Sequence, residues 1–469
     1  MTPQREVRVA GVLGTLAVPV VIVGLVIALA VTLWGRGDLN RLICDGDCGP
    51  SNVIAPRELA IDSSPGSYAL AKPTSTGPVD PARLSAAVRP ELDSPVLGSH
   101  VGFAAVAADG TELASSGTGA YAPASTTKVL TSFAALTMID PQTRFTTEVV
   151  RSEDGIVLVG GGDPYLTAAP AAKGEDRVFQ ADLTTLARRT AKALKRAGDT
   201  DITLDYDAKL FTGPSASPAW EASYVGQNIT SRVSALWADQ GVVDGIRSRN
   251  PAESAAQKFE TLLTARGIDV AGRPRSVAAD PDDRTLARVR SATLAQIVER
   301  LIRVSDNEAA EVVLRHVALA DDEPASFEGG ATAVRSALEA ADIDTAGLLL
   351  HDGSGLSRRN RIAPVTLART LQVASGSARA SGLLADLPVS GFTGTLVDRF
   401  GQLTSALGKV RAKTGTLSGI HSLAGYATDA RGRPVVFAVM ADRSDKGQPF
   451  AAQAALDDVA AAIAACRCG

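Results

Sequence analysis

Pro123-Ala124-Ser125-Thr126-Thr127-Lys128 runs straight into Val129-Leu130 and Phe133-Ala134-Ala135-Leu136. The apolar spacing predicts a helix with one side buried, and residues three apart on a helix share a face. The Lys128 ammonium can therefore reach the Ser125 hydroxyl. A serine is a poor nucleophile at neutral pH without a base beside it. Lysine serves as that base only if burial or a neighbouring positive charge lowers its pKa. Alone, such a tetrapeptide reads as an ordinary solvated helix turn.

Two further motifs change its weight. Ser305-Asp306-Asn307 by itself is a helix N-cap, a place these residue types favour. Lys413-Thr414-Gly415-Thr416 by itself is a polar edge strand. Taken with Ser125 and Lys128, in this order, they supply a hydroxyl, a carboxamide and a second cation, which is the equipment of serine acyl transfer. Ser305 can pass a proton between Lys128 and a leaving amine. Asn307 can hydrogen-bond a substrate amide carbonyl. Gly415 lets a substrate backbone approach the strand, and Lys413, Thr414 and Thr416 can hold a carboxylate. If the fold brings Lys413 near, its charge would lower Lys128. The N–H groups of Ser125 and Thr416 are candidates for an oxyanion hole.

The rest of the chain sets the frame. With 47 Lys and Arg against 51 Asp and Glu, the net charge of −4 argues against a nucleic-acid partner. The histidines His100, His316, His351 and His421 are scattered, and no His/Cys/Asp group has metal-ligand spacing, so neither metal nor cofactor is expected. No Gly-x-Ser-x-Gly elbow occurs, which weakens a Ser-His-Asp reading. Strands are expected at His100–Ala108 and Thr111–Ser116 around the Asp109-Gly110 turn, and again at Val410, Leu423–Thr428 and Val435–Ala441, with a last helix at Phe450–Ala465. Joining strands from both ends on one sheet gives an α+β fold, an antiparallel sheet flanked by helices. The pattern changes after Asp140-Pro141, and residues 141–250 are expected to form one inserted domain within a main domain of 80–140 and 251–469.

From Val9 to Trp34 no charge interrupts an apolar run long enough to span a bilayer. It continues past Ala28-Leu29-Ala30, which favours a single-pass anchor over a cleaved signal. Residues 1–36 are thus read as tail and anchor, and the Pro/Ser-rich 37–79 as a linker. The expected place is a cell membrane with the catalytic part outside the cytoplasm. Cys44 and Cys48 follow the anchor, and Cys466 and Cys468 end the chain. A bond inside Cys466-Arg467-Cys468 would close a tight loop, so cross-links between the two pairs are expected.

From Asp80 to Ala465 the chain resembles the low-molecular-mass class C penicillin-binding proteins, the D-alanyl-D-alanine carboxypeptidases and endopeptidases. The likeness is carried by Pro123–Lys128, Gly162-Asp163-Pro164, Asp352-Gly353-Ser354-Gly355-Leu356-Ser357-Arg358 and Lys413–Leu417. It implies a penicillin-binding/β-lactamase-like transpeptidase fold. It also implies acylation of Ser125 by peptidoglycan stem peptides ending in D-Ala-D-Ala, or by β-lactam antibiotics. In such relatives an acid and an arginine grip the side-chain end of the peptide, and Asp163 and Arg358 are the matching positions. The gap between the first two motifs is shorter than is usual in the family, which bears on that pocket. The rivals are a β-lactamase, for which no Glu-x-x-x-Asn stretch is present after the second motif, and a sensor that binds without turnover.

Overall fold

Strands from the beginning and the end of the folded chain share one antiparallel sheet. A computed structural model describes residues 77–153, 155–172 and 178–469. The elements begin with α1 (Pro81–Leu92), β1 (Val101–Ala107), β2 (Glu112–Ser116), a 3-10 turn at Ala124–Thr126 and α2 (Thr127–Met138). Next come β3 (Arg144–Arg151), β4 (Gly155–Val159), α3 (Leu183–Ala197), β5 (Asp201–Asp207), α4 (Ser223–Gly226), β6 (Val242–Val243) and β7 (Ile246–Arg247). Then follow α5 (Pro251–Thr264), β8 (Asp269–Ala271), β9 (Thr285–Thr293), α6 (Leu294–Val304), α7 (Asn307–Ala320) and α8 (Phe327–Glu339). The chain ends through α9 (Pro364–Gly376), α10 (Gly382–Asp386), β10 (Val410–Leu417), β11 (Ile420–Thr428), β12 (Pro434–Ala441) and α11 (Pro449–Ala465).

The main sheet runs β10-β11-β12-β1-β2 with every neighbour antiparallel. Side chains alternate across a strand, and here each face meets a different core. Ala104, Val106, Val436, Ala438 and Met440 pack with α2, α6, α7, α8 and α9. Phe103, Ala105, Val435, Phe437, Val439 and Ala441 pack with α1 and α11. This explains why β12 is apolar throughout and wholly buried: antiparallel strands usually keep one wet face, and this one has none. The helix after Ser125 is treated the same way, with Thr127 to Leu136 all buried.

A second sheet runs β8-β5-β4-β3-β9, antiparallel from β9 to β4 and parallel from β4 to β8. Helices α3 and α5 cover it through Leu183, Leu186, Leu194, Phe259 and Leu263. Asp182 caps the N-terminus of α3 by accepting from Thr185 N, and Gly198 ends it in the left-handed region at φ 80°. Strands β8 and β9, both past residue 250, thus share this sheet with β3, β4 and β5. The overlooked signal was the alternation Ala287, Arg288, Val289, Arg290 in β9, a half-buried strand.

Asp80 caps α1 by accepting from Ala82 N and Arg83 N. Among the described residues no helix is long and apolar enough to cross a membrane. The apolar run Val9–Trp34, most of the linker, Cys44 and Cys48 lie outside the described residues. Cys466 is bonded to Cys468, not cross-linked to the N-terminal pair. The chain leaves α11 extended at Cys466, at φ −63° and ψ 132°. Their Cα atoms are then 5.2 Å apart, within ordinary disulfide reach.

Candidate active site

Ser125 lies in the 3-10 turn that precedes α2, not in the α-helix itself, and is half-buried. The tighter turn still puts Ser125 and Lys128 on one face. Lys128 is fully buried, and its Nζ donates to Ser125 Oγ (3.0 Å), Asn307 Oδ1 (2.7 Å) and the Ser354 carbonyl (2.7 Å). An ammonium has three protons to give, and three acceptors face it.

The second motif divides its labour. Asp306 takes the N-cap role, accepting from Ala309 N at the start of α7. That frees Ser305 and Asn307 for the cleft. Ser305 closes α6 in the left-handed region at φ 61°, rare for a residue with a side chain. Its Oγ accepts from Lys413 Nζ at 2.8 Å. The inserted segment secures this corner: Gln240 Nε2 donates to both Asp306 oxygens (3.0 and 2.9 Å), and Arg247 pairs with buried Glu308 at 2.5 Å.

The third motif sits on β10, the open edge of the main sheet. Lys413 is fully buried and also donates to the Thr414 carbonyl (2.7 Å), while Thr414 Oγ1 donates to Thr395 Oγ1 (2.9 Å). Thr416 is exposed. The need for Gly415 differs from the one expected. A Cβ there would press on Ser422 Oγ, on the Pro123 carbonyl (2.5 Å) and on Ser125 N (3.0 Å). The glycine lets the strand close on the turn that carries Ser125.

Burial lowers Lys128 from the ordinary lysine value to about 8, against Glu311, Asp352, Asp306 and Glu308, which pull it up. The lowering comes from desolvation, not from the Lys413 charge that the sequence suggested. The influence runs the other way: burial first, then Lys128 and Arg399, push Lys413 well below its ordinary value.

Arg358 and Asp163 are not partners. Arg358 Nε donates to Glu221 at 2.8 Å and its Nη1 to the Ser418 carbonyl at 2.9 Å. Asp163 is 3 % exposed, accepts from Tyr165 N and offers its carbonyl to Trp237 Nε1. The acid beside Arg358 is Glu221. The signal for it was Trp220-Glu221: Trp220 Nε1 donates to Asp352 Oδ2 at 2.7 Å. That bond ties the inserted segment to the loop carrying Arg358. Ser354 was also missed, because it acts through a backbone carbonyl that no side-chain motif announces.

The three motifs thus surround one serine with a buried amine, a second amine, a second hydroxyl and a carboxamide. A model of the D-Ala-D-Ala carboxypeptidase 3 (S13) family matches residues 84–246 and 244–463. The chain is 32 % identical to carboxypeptidase DacB of Mycolicibacterium smegmatis, over the whole of both chains. It is 36 % identical to a carboxypeptidase of Mycobacterium tuberculosis, covering 69 % of this chain and 71 % of the other. Its fold is similar to the crystal structure of penicillin binding protein 4 (dacB) from Haemophilus influenzae, with TM-score 0.65 and 22 % identity, over 81 % of this chain and 98 % of that one.

Proposed function

This chain belongs to the D-Ala-D-Ala carboxypeptidase 3 (S13) family, and from that membership we propose how its cleft works. It is a serine-type D-alanyl-D-alanine carboxypeptidase, a penicillin-binding protein acting on peptidoglycan peptides. The observation that carries the mechanism is the contact of Lys128 Nζ with Ser125 Oγ and Asn307 Oδ1 at once. Neutral Lys128 takes the Ser125 proton as Oγ attacks the carbonyl carbon of the penultimate D-Ala. The oxyanion rests on the N–H groups of Ser125 and Thr416. Ser305, bonded to Lys413, relays the proton to the departing amine. Terminal D-Ala leaves, and water resolves the acyl-enzyme.

Lys413 receives the terminal carboxylate, together with Thr414 and Thr416. Burial has pushed this lysine toward neutrality, so an arriving carboxylate draws a proton onto it. The Asn307 amide nitrogen serves the substrate carbonyl, because its oxygen is engaged by Lys128. Glu221 and Arg358 flank the side-chain end of the stem peptide. A β-lactam follows the same first step. The apolar run Val9–Trp34 supports a membrane-anchored, extracytoplasmic placement. Fractionation of producing cells tests it: recovery of the full chain in the soluble fraction would end that placement.

The direct test is mass spectrometry of monomeric and cross-linked muropeptides incubated with the chain. Monomeric pentapeptides should lose one D-Ala, and Ser125→Ala should abolish both this loss and covalent labelling by fluorescent penicillin. Cleavage of cross-links would add endopeptidase activity. Rapid turnover of a chromogenic cephalosporin would point to a β-lactamase instead. Labelling that survives Ser125→Ala would overturn the assigned nucleophile.

A further inference from the structure

The cleft contains a carboxylate that no step above uses. Glu311 lies on α7, one turn after Asn307, and is 0 % exposed. Its Oε2 accepts from Gly353 N (3.0 Å) and its Oε1 from Ser354 N (2.9 Å). Those two peptides carry the carbonyls that hold the nucleophile's helix: Thr131 Oγ1 donates to the Gly353 carbonyl, and Lys128 Nζ to that of Ser354. The loop is seated so closely on α7 that a Cβ at Gly353 would lie 2.9 Å from the Ala310 carbonyl. Asp352, next in the chain, is answered within its own loop and by Trp220. Among the described residues, Glu311 is the side chain of α7 that hydrogen-bonds the Gly353 and Ser354 N–H groups.

We propose that Glu311 is a positioning residue for acylation: it fixes the Ser354 carbonyl on Lys128, and its negative charge sets how much of that lysine is free to act as a base. The role rests on the serine-peptidase reading above. Charged groups face the pair from every side. Asp306 and Glu308 stand at the start of α7, Asp352 on the loop, Lys413 on β10, and Arg315 on the next turn of α7. Two of these are occupied elsewhere, Asp306 by Gln240 and Glu308 by Arg247. Among the carboxylates, Glu311 acts most strongly on Lys128. Burial, and then Asp352, push Glu311 itself up to about 7, so its charge is in place where Lys128, at about 8, gives up its proton, and removing that charge destabilises the protonated amine. Loss of Glu311 therefore lowers the pH at which Lys128 becomes a base while loosening its hold on Ser125.

The test is the rate of Ser125 labelling by a fluorescent penicillin, measured against pH on the full chain, for the wild type, Glu311→Gln and Glu311→Asp. In Glu311→Gln the rising limb should move about one pH unit lower, and the plateau should fall about tenfold. Glu311→Asp keeps the charge but is one methylene shorter, so its limb should stay in place while its plateau falls. A Glu311→Gln limb that coincides with the wild-type limb overturns the proposal and leaves the peptidase reading intact. If Glu311→Gln does not fold, a displaced limb in Glu311→Asp overturns it. A wild-type chain that takes no label overturns the reading beneath it, and this role with it.

Discussion

Asp163 is buried with a single backbone donor, from Tyr165, and desolvation pushes its carboxyl up to about 7. Between the ordinary aspartate value and pH 7 the folded chain keeps a proton that the unfolded chain releases, so Asp163 costs stability as pH rises through that window. Asp163→Asn keeps the acceptor for Tyr165 and removes the titration. Its thermal stability relative to wild type should climb from pH 4 to pH 7 and then level, by about 4 kcal/mol at most. Neither penicillin labelling nor KM for a stem peptide bearing its charged side chain should change, and a several-fold rise in that KM would return Asp163 to the site. Lys128 has its own signature. Its pKa of about 8 means that acylation should rise with pH below that value and flatten above it. A stopped-flow acylation profile that is flat from pH 6 to pH 9 would remove it as the base.

At the scale of elements, the site depends on where helices and strands begin and end. Asp306→Ala removes the cap of α7 and should cost about 1 kcal/mol in denaturant unfolding. It should slow acylation at least tenfold, because Ser305 and Asn307 flank the cap; an unchanged rate would show that they hold their places without it. Gly415→Ala should fold yet fail to label, since the new methyl meets the Pro123 carbonyl and Ser125 N, which are backbone atoms that cannot turn aside. Full labelling would mean that β10 can retreat from the turn.

At the scale of the molecule, the inserted segment and the peptidase core act together through Trp220. Trp220→Phe keeps the ring packed against Phe327 but removes the donor to Asp352, with a cost of order 1–3 kcal/mol. Arg358 and Glu221 lie on the two sides of that tie. KM for a stem peptide bearing its charged side chain should rise several-fold, while acylation by penicillin, which lacks that end, should hardly change. Equal losses for both ligands would mean that the tie supports the fold as a whole.

The sequence by itself determined the chemistry and much of the frame. Ser125 and Lys128 are local on one turn, the main-sheet strands are legible as apolar runs bounded by turns, and the three motifs state which functional groups the cleft must contain. Tertiary structure alone decided which acid meets Arg358, why Gly415 is glycine, that burial and not Lys413 lowers Lys128, and that β8 and β9 join the second sheet. The physical reason is common to all four. Each turns on what touches a group across hundreds of residues of chain, on backbone atoms that carry no side-chain signature, or on water excluded by a core that forms only when the whole chain has closed.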